Sequence, residues 1–371
     1  MPIDQNGDAR VGGVSLRSLP KVSLHDHLDG GVRPATIIEL ADAAGIEVPE
    51  HDAASLGDWF ARQSDSGSLV EYLKTFDLTI AVMQTREGLT RVAREFVEDL
   101  VADGVIYGEV RWAPEQHLTG GLSLDEAVAA VQQGLDDGQD AARSAGRDIR
   151  VGQLISAMRH TDRSLEIAKL AVSWRDRGAV GFDIAGPEDG FPPSRLRAAF
   201  DHLAAEFFPT TVHAGEAAGI DSIRSALIDG RALRLGHGVR VAEDIATVGV
   251  DGEEVQVRLG TIAQWVRDRE IPLELSPSSN LQTGAIAAWG NVLADHPFDL
   301  LYQLGFAVTV NVDNRTMSRT SLTRELALLA ETFDYDLGDI EAFQLNAAAG
   351  AFLPVEEREE LIDLIAVGFG S

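Results

Sequence analysis

Four histidines and an aspartate stand where apolar runs of this chain break into polar or glycine-rich residues. They are His25 and His27 in KVSLHDHLDGG, His213 in TTVHAGE, His237 in RLGHGV and Asp313 in AVTVNVD. Imidazole nitrogen with carboxylate oxygen is a donor set for a borderline divalent ion such as zinc. An open position on that ion would hold a water whose pKa the metal lowers. Residues two apart on a strand share a face, so His25 and His27 can point the same way. One histidine in such a place more often satisfies a core or a loop than binds a ligand. Four of them with an aspartate, all at strand ends, argue for a site.

The rest of the composition narrows the metal chemistry. There is no cysteine, so thiolate-ligated zinc sites and disulfides are excluded. A two-metal site bridged by a carboxylated lysine needs a lysine on a suitable strand. The three lysines are Lys21, at the wrong end of the first strand, and Lys74 and Lys169, both in helical patterns. A single ion is therefore expected.

The elements that must bring these residues together can be read from periodicity. Strands are expected at KVSLHDH, VIYGEVRWAP, IRVGQLISAM, AVGFDIAGP, TTVHAGE, RLGHGV, IPLELSPSS and AVTVNVD. Between them, TREGLTRVAREFVEDLVADG, SLDEAVAAVQQGLDDGQDAARSAG and SLEIAKLAVSWRDRG repeat apolar residues at helical spacing, with Ser or Thr near the start and Gly at the end. Eight strands alternating with helices predict an α/β protein, a (β/α)8 TIM barrel, as one domain over residues 1–371. Two elaborations are expected: a long insertion between the first strand and the second, and extra helices from about residue 320 to 366. SLVEYLKTFDLTIAVM, inside the insertion, presents Leu69, Tyr72, Leu73 and Phe76 on one face, which periodicity alone assigns to the core. Barrel enzymes place their chemistry at the carboxyl ends of strands, where the histidines fall.

Charge excludes some partners. Fifty-nine acidic against 31 basic residues give a formal net charge of -28. That field disfavours nucleic acid, anionic membrane and phosphorylated substrates, while a small neutral ligand is indifferent to it. No signal-peptide pattern opens the chain and no apolar run approaches a membrane span, so the cytoplasm is the expected compartment. No Walker or dinucleotide fingerprint follows a strand.

These motifs, together with EVRWAP, AMRH, FDIAGPE and ELSPSSNLQTG in the same order along nearly the whole chain, resemble the adenosine deaminases of the amidohydrolase superfamily. The resemblance implies that His25, His27, His213 and Asp313 ligate one zinc ion per chain. It implies that Glu216 donates a proton to purine N1, with His237 beside the attacking water. It further implies that Asp29 touches the ribose, that the Gly186 backbone meets purine N3, and that His27 borders the substrate. Leu69, Tyr72, Leu73 and Phe76 correspond to the family's hydrophobic gate, so that segment is read equally as core and as lid. The implied reaction is hydrolysis of adenosine and 2'-deoxyadenosine to inosines and ammonia. A deaminase of adenine or of a modified adenosine, and a catalytically silent zinc-binding barrel, remain alternatives.

The chemistry is consistent on its own terms. Adding water to an aromatic carbon that bears an amine needs a strong nucleophile and an acid at the adjacent ring nitrogen. Glu216, protonated in a dry pocket, would be that acid. His237 would take the water proton or hold the nucleophile in line, and Asp313 would do the same from the other side. One departure stands out: the family's second aspartate after the last strand is Asn314 here. Purine N7 is an acceptor, and an amide NH2 donates to it at any pH, whereas a carboxyl must first be protonated. His160 ends the third strand and is read mainly as a loop residue; His51, His117, His202 and His296 are expected to be solvated.

Overall fold

The computed structural model describes residues 8–251 and 254–370. Eight parallel strands form the centre: β1 (Lys21–His27), β2 (Val105–Trp112), β3 (Arg150–Met158), β4 (Ala179–Ala185), β5 (Thr211–Ala214), β6 (Arg234–His237), β7 (Leu273–Leu275) and β8 (Val308–Val310). Each falls within a run expected to be a strand. β1 to β4 pair in order and so do β5 to β8. Two parallel bridges close the ring, Phe182 to Thr210 between the halves and Asp26 to Asp313 at the seam. At that seam the backbone N–H of Asp313 donates to the His25 carbonyl at 2.9 Å, and the N–H of His27 donates to the Asp313 carbonyl at 2.8 Å. The first and last strands therefore meet at three of the residues singled out for chemistry.

Local sequence explains the outer helices. In helix Leu124–Ser144, the Ser123 hydroxyl accepts from the Glu126 N–H and the Glu126 carboxylate accepts from the Ser123 N–H, a reciprocal cap. Helix Arg86–Ala102 starts at Thr85, whose hydroxyl accepts from the Gly88 N–H. The two pack side by side through glycines: a Cβ on Gly134 would lie 2.1 Å from the Thr90 carbonyl oxygen, so only glycine permits this approach.

The insertion between β1 and β2 contains five helices: Pro34–Ala44, Ala53–Ser64, Leu69–Leu73, Phe76–Val82 and Arg86–Ala102. The expected C-terminal helices are Leu322–Phe333, Leu337–Gly350 and Val355–Phe369. Their segment seals the barrel floor, opposite the histidines. The Gln344 side-chain oxygen accepts from the Val22 N–H at 2.8 Å, and the Phe352 ring lies under the Arg234 guanidinium at 3.7 Å. Lys21 is buried at this end and donates to the carbonyls of Leu16 and Leu19 at 2.7 and 2.8 Å, so it serves the floor and not the mouth.

Two antiparallel pairs were not expected: Arg10–Val11 with Val14–Ser15 ahead of β1, and Ile245–Asp251 with Glu254–Leu259 after β6. The expectation of solvated histidines also needs correction. His117 and His296 are buried, the former donating to or accepting at Nδ1 3.0 Å from the Met83 carbonyl, where only donation is chemically sensible. Among the described residues, no helix is long and apolar enough to cross a membrane.

Candidate active site

The carboxyl ends of β1, β5, β6 and β8 bring the histidines and the aspartate to one point. One donor atom from each of His25, His213, His237 and Asp313 lies within 4.8 Å of every other, and all four residues are buried. His27 joins them: its Nε2 is 3.3 Å from His213 Nε2 and 3.3 Å from Asp313 Oδ1. His25 Nε2 stands 3.1 Å from the same oxygen. Five donors thus surround a space of atomic size, one more than the four that the resemblance assigned to the ion. His237 and Asp313 both adopt left-handed backbone, with φ of 59° each, a conformation rare for non-glycine residues and concentrated at functional sites.

A metal ion suits this cluster. Glu274 holds Nδ1 of His25 at 3.0 Å, and Asp183 lies 2.8 Å from Nδ1 of His213. A carboxylate behind a ring keeps the proton on that side and turns the other nitrogen's lone pair inward. His25 Nε2 accordingly faces the cluster, 3.1 Å from Asp313 Oδ1. Burial pushes the pKa of His27 and His213 down, so both rings are neutral. Two neutral imidazole nitrogens 3.3 Å apart beside a carboxylate are a donor set for a cation.

Below the cluster the barrel interior is charged. Arg111 pairs with Asp183 at 3.0 Å and with Glu274 at 2.7 Å; Arg234 pairs with Glu274 at 2.7 Å and Glu109 at 2.5 Å. All five side chains are buried. Each carboxylate that orients a histidine is itself held by arginine, so the ring positions are fixed from beneath. The sequence reading gave these residues no role.

Above the cluster is a cavity of about 410 Å³, lined by Leu69, Tyr72, Leu73, Phe76, Trp112, Met158, Asp29, Gly186, His160, Glu216 and Asn314, among others. Every residue that the resemblance assigned to substrate lines it, and His160 does so as well. Leu69, Tyr72 and Phe76 are also buried, so the segment is at once part of the apolar packing and the pocket wall. Gly186 has φ of 99°, which turns its backbone into the cavity. Asn314 stands against Gly30 so closely that a Cβ there would lie 1.9 Å from its Oδ1.

Glu216 is buried, with Oε2 3.6 Å from His237 Nε2. Burial, and next the charge of Asp313, push its carboxyl well above the usual range, which favours the acid form. Its loop is built by Glu188, another residue without an assigned role. The Glu188 carboxylate accepts from the backbone N–H groups of Gly215, Glu216, Ala217 and Ala218 at 2.6–3.0 Å and from the Ser222 hydroxyl.

A barrel with imidazoles and carboxylates converging at its carboxyl face, beneath a largely apolar pocket, has the form of a barrel hydrolase with a candidate metal site. The family model described as "Adenosine deaminase" matches residues 20–367. An adenosine deaminase 1 of Streptomyces coelicolor is 54% identical, covering 95% of this chain and 88% of its own. An adenosine deaminase of Mycobacteroides abscessus is 52% identical, covering 94% and 95% respectively. The solved structure of Arabidopsis ADAL complexed with IMP superposes with a TM-score of 0.79 at 26% identity, covering 96% of this chain and 98% of that one. The chain belongs to the adenosine deaminase family.

Proposed function

We propose that this protein hydrolyses the 6-amino group of adenosine and 2'-deoxyadenosine, releasing ammonia and the 6-oxo nucleoside. The observation that carries the reading is the buried Glu216 carboxyl, 3.6 Å from His237 Nε2, beside the His/Asp cluster on the floor of a cavity of about 410 Å³. A purely structural metal site would have no use for a buried acid next to its ligands.

In this reading His25, His27, His213 and Asp313 hold a zinc ion. When bound, the ion would supply Lewis acidity that lowers the pKa of a water at the cluster. Glu216 protonates purine N1 as electron density moves there, which opens C6 to attack. His237 and Asp313 flank the attacking water and orient it. Tyr72, Leu69, Leu73 and Phe76 exclude bulk solvent, which strengthens each polar contact inside. Asp29 takes the ribose, the Gly186 backbone meets N3, and the Asn314 amide donates to N7.

The pocket also favours a nucleoside over its phosphate ester. Its lining has Asp29 and Asp77 and no arginine; its one lysine, Lys74, is bound to Glu71 at 2.6 Å. A dianionic phosphate would meet carboxylates without a free cation to offset them.

Ultraviolet spectra of the zinc-loaded protein with adenosine, adenosine 5'-monophosphate and adenine test this directly. Turnover should be fast on adenosine, at least about 100-fold slower in kcat/KM on the other two, and abolished by chelation. Asp29→Ala should cut kcat/KM for adenosine by about 10–100-fold while leaving slow turnover of adenine unchanged, as expected for a lost hydrogen bond to a carboxyl that burial pushes up to about 7. No spectral change with adenosine would reject the assignment.

A further inference from the structure

Asn280 and His296 lie behind His237, outside the pocket lining, and both are buried. The backbone N–H of Phe298 donates to His296 Nδ1 at 3.0 Å. A backbone amide can only donate, so Nδ1 accepts and a neutral His296 carries its proton on Nε2. Burial keeps that ring neutral, pushing its pKa down to about 3. Nε2 of His296 faces Asn280 Oδ1 at 3.1 Å, so Asn280 must turn its NH2 toward His237 Nδ1, 2.9 Å away. Amide orientation and imidazole tautomer are ambiguous in isolation. Here a backbone donor at one end fixes every direction in the series.

We propose that His296 and Asn280 are positioning residues that lock His237 as an Nε2–H donor to the attacking water, making His237 neither a metal ligand nor the acceptor of the water's proton. The inference rests on the deaminase reading of the pocket and decides between the two roles open to His237. A ring that binds a metal must offer it a lone pair. His25 and His213 have carboxylates at Nδ1, which place the proton there and leave Nε2 free. His237 has an amide NH2 at Nδ1, which does the reverse. The group behind each ring therefore sorts the three imidazoles: a carboxylate makes a ligand, an amide makes a donor. This also resolves the surplus of donors around the ion by removing His237 and leaving His27.

The test reads tautomers directly. In the zinc-loaded protein labelled with 15N-histidine, without substrate, long-range 1H–15N correlation separates protonated from unprotonated ring nitrogens, and His237→Asn assigns the signals. The wild type should show His237 protonated at Nε2 and bare at Nδ1. Asn280→Asp, of the same shape, replaces the NH2 by an acceptor and should move that proton to Nδ1. Its kcat on adenosine should fall by at least about 100-fold, the scale of a reversed catalytic imidazole, with KM changed by less than about threefold. His296→Gln keeps an NH2 for Asn280 Oδ1 and should retain both the tautomer and kcat within about tenfold. A wild-type His237 with its proton on Nδ1 would overturn the proposal, whether or not the variants fold. So would a reversed tautomer in Asn280→Asp with undiminished kcat. Wild-type protein inert toward adenosine would strike the deaminase reading instead, and the ring signals, which need no turnover, keep the two failures apart.

Discussion

Glu216 is asked to be an acid and Asp183 to be a brace, and one atom in each decides the role. Glu216→Gln keeps the shape and removes the transferable proton. Its kcat should fall by about 10²–10⁴, the usual range for a general acid, with zinc content by elemental analysis unchanged. Asp183→Asn removes the carboxylate that lies 2.8 Å from His213 Nδ1 and 3.0 Å from Arg111. Competition with a graded chelator should show zinc affinity lowered by about 10–100-fold, as for other partners behind metal-binding histidines. Equal affinity in the variant would mean that the ring is held by packing alone. The sequence pointed to Glu216 because HAGE sits at a strand end, but not to Asp183, Glu274 or Arg111. A signal existed: Asp183 and Glu274 are each a lone charge in an apolar strand, and Arg111 shares its strand with Glu109, placements that demand buried partners. Glu188 offered no comparable clue, since a carboxylate that collects backbone N–H groups has no characteristic spacing.

At the level of strands and helices, the eight barrel strands were legible because each is a short β-rich run ending in glycine, proline or polar residues. The hairpin of Ile245–Asp251 with Glu254–Leu259 was not, although EVQVRL alternates and Asp251, the last residue of IATVGVD, is followed in sequence by a glycine. Its strands join only each other, so the βα rhythm that organises the rest gives no place to look for it. The gate segment was ambiguous for a different reason. An apolar helical face has the same pattern whether it covers a core or a cavity, and here Leu69–Leu73 and Phe76–Val82 do both. Lys21 shows the opposite case, a polar residue whose position in β1 marks its purpose. Burial lowers its pKa to about 8, and its ammonium gathers carbonyls from the turn that leads into the strand. Lys21→Met should leave those acceptors unpaired and lower stability by about 2–4 kcal/mol in urea unfolding. The folded fraction should keep its kcat, because the ammonium lies at the far end of β1 from the histidines.

The whole molecule has an acid weakness that follows from its buried rings. Burial lowers His117 to about 4 and His296 to about 3. Below the unfolded value near 6.5 the unfolded chain takes up protons that the native rings refuse, so stability is lost as pH falls through that window and is intact above it. His117 alone accounts for roughly 3 kcal/mol of this by pH 4. His117→Gln, which can still donate to the Met83 carbonyl, should lose stability in urea less steeply than the wild type between pH 7 and 5, with the share due to His296 remaining. Parallel curves would show that the ring is not the group responsible. The seam between β1 and β8 sets a constraint of another kind. His25 and His27 leave the ribosome early, but Asp313 follows only after seven further strands have been made. A growing chain has no complete His/Asp cluster until the eighth barrel strand has been made. A product cut short before the eighth barrel strand would lack the carboxylate donor of the cluster.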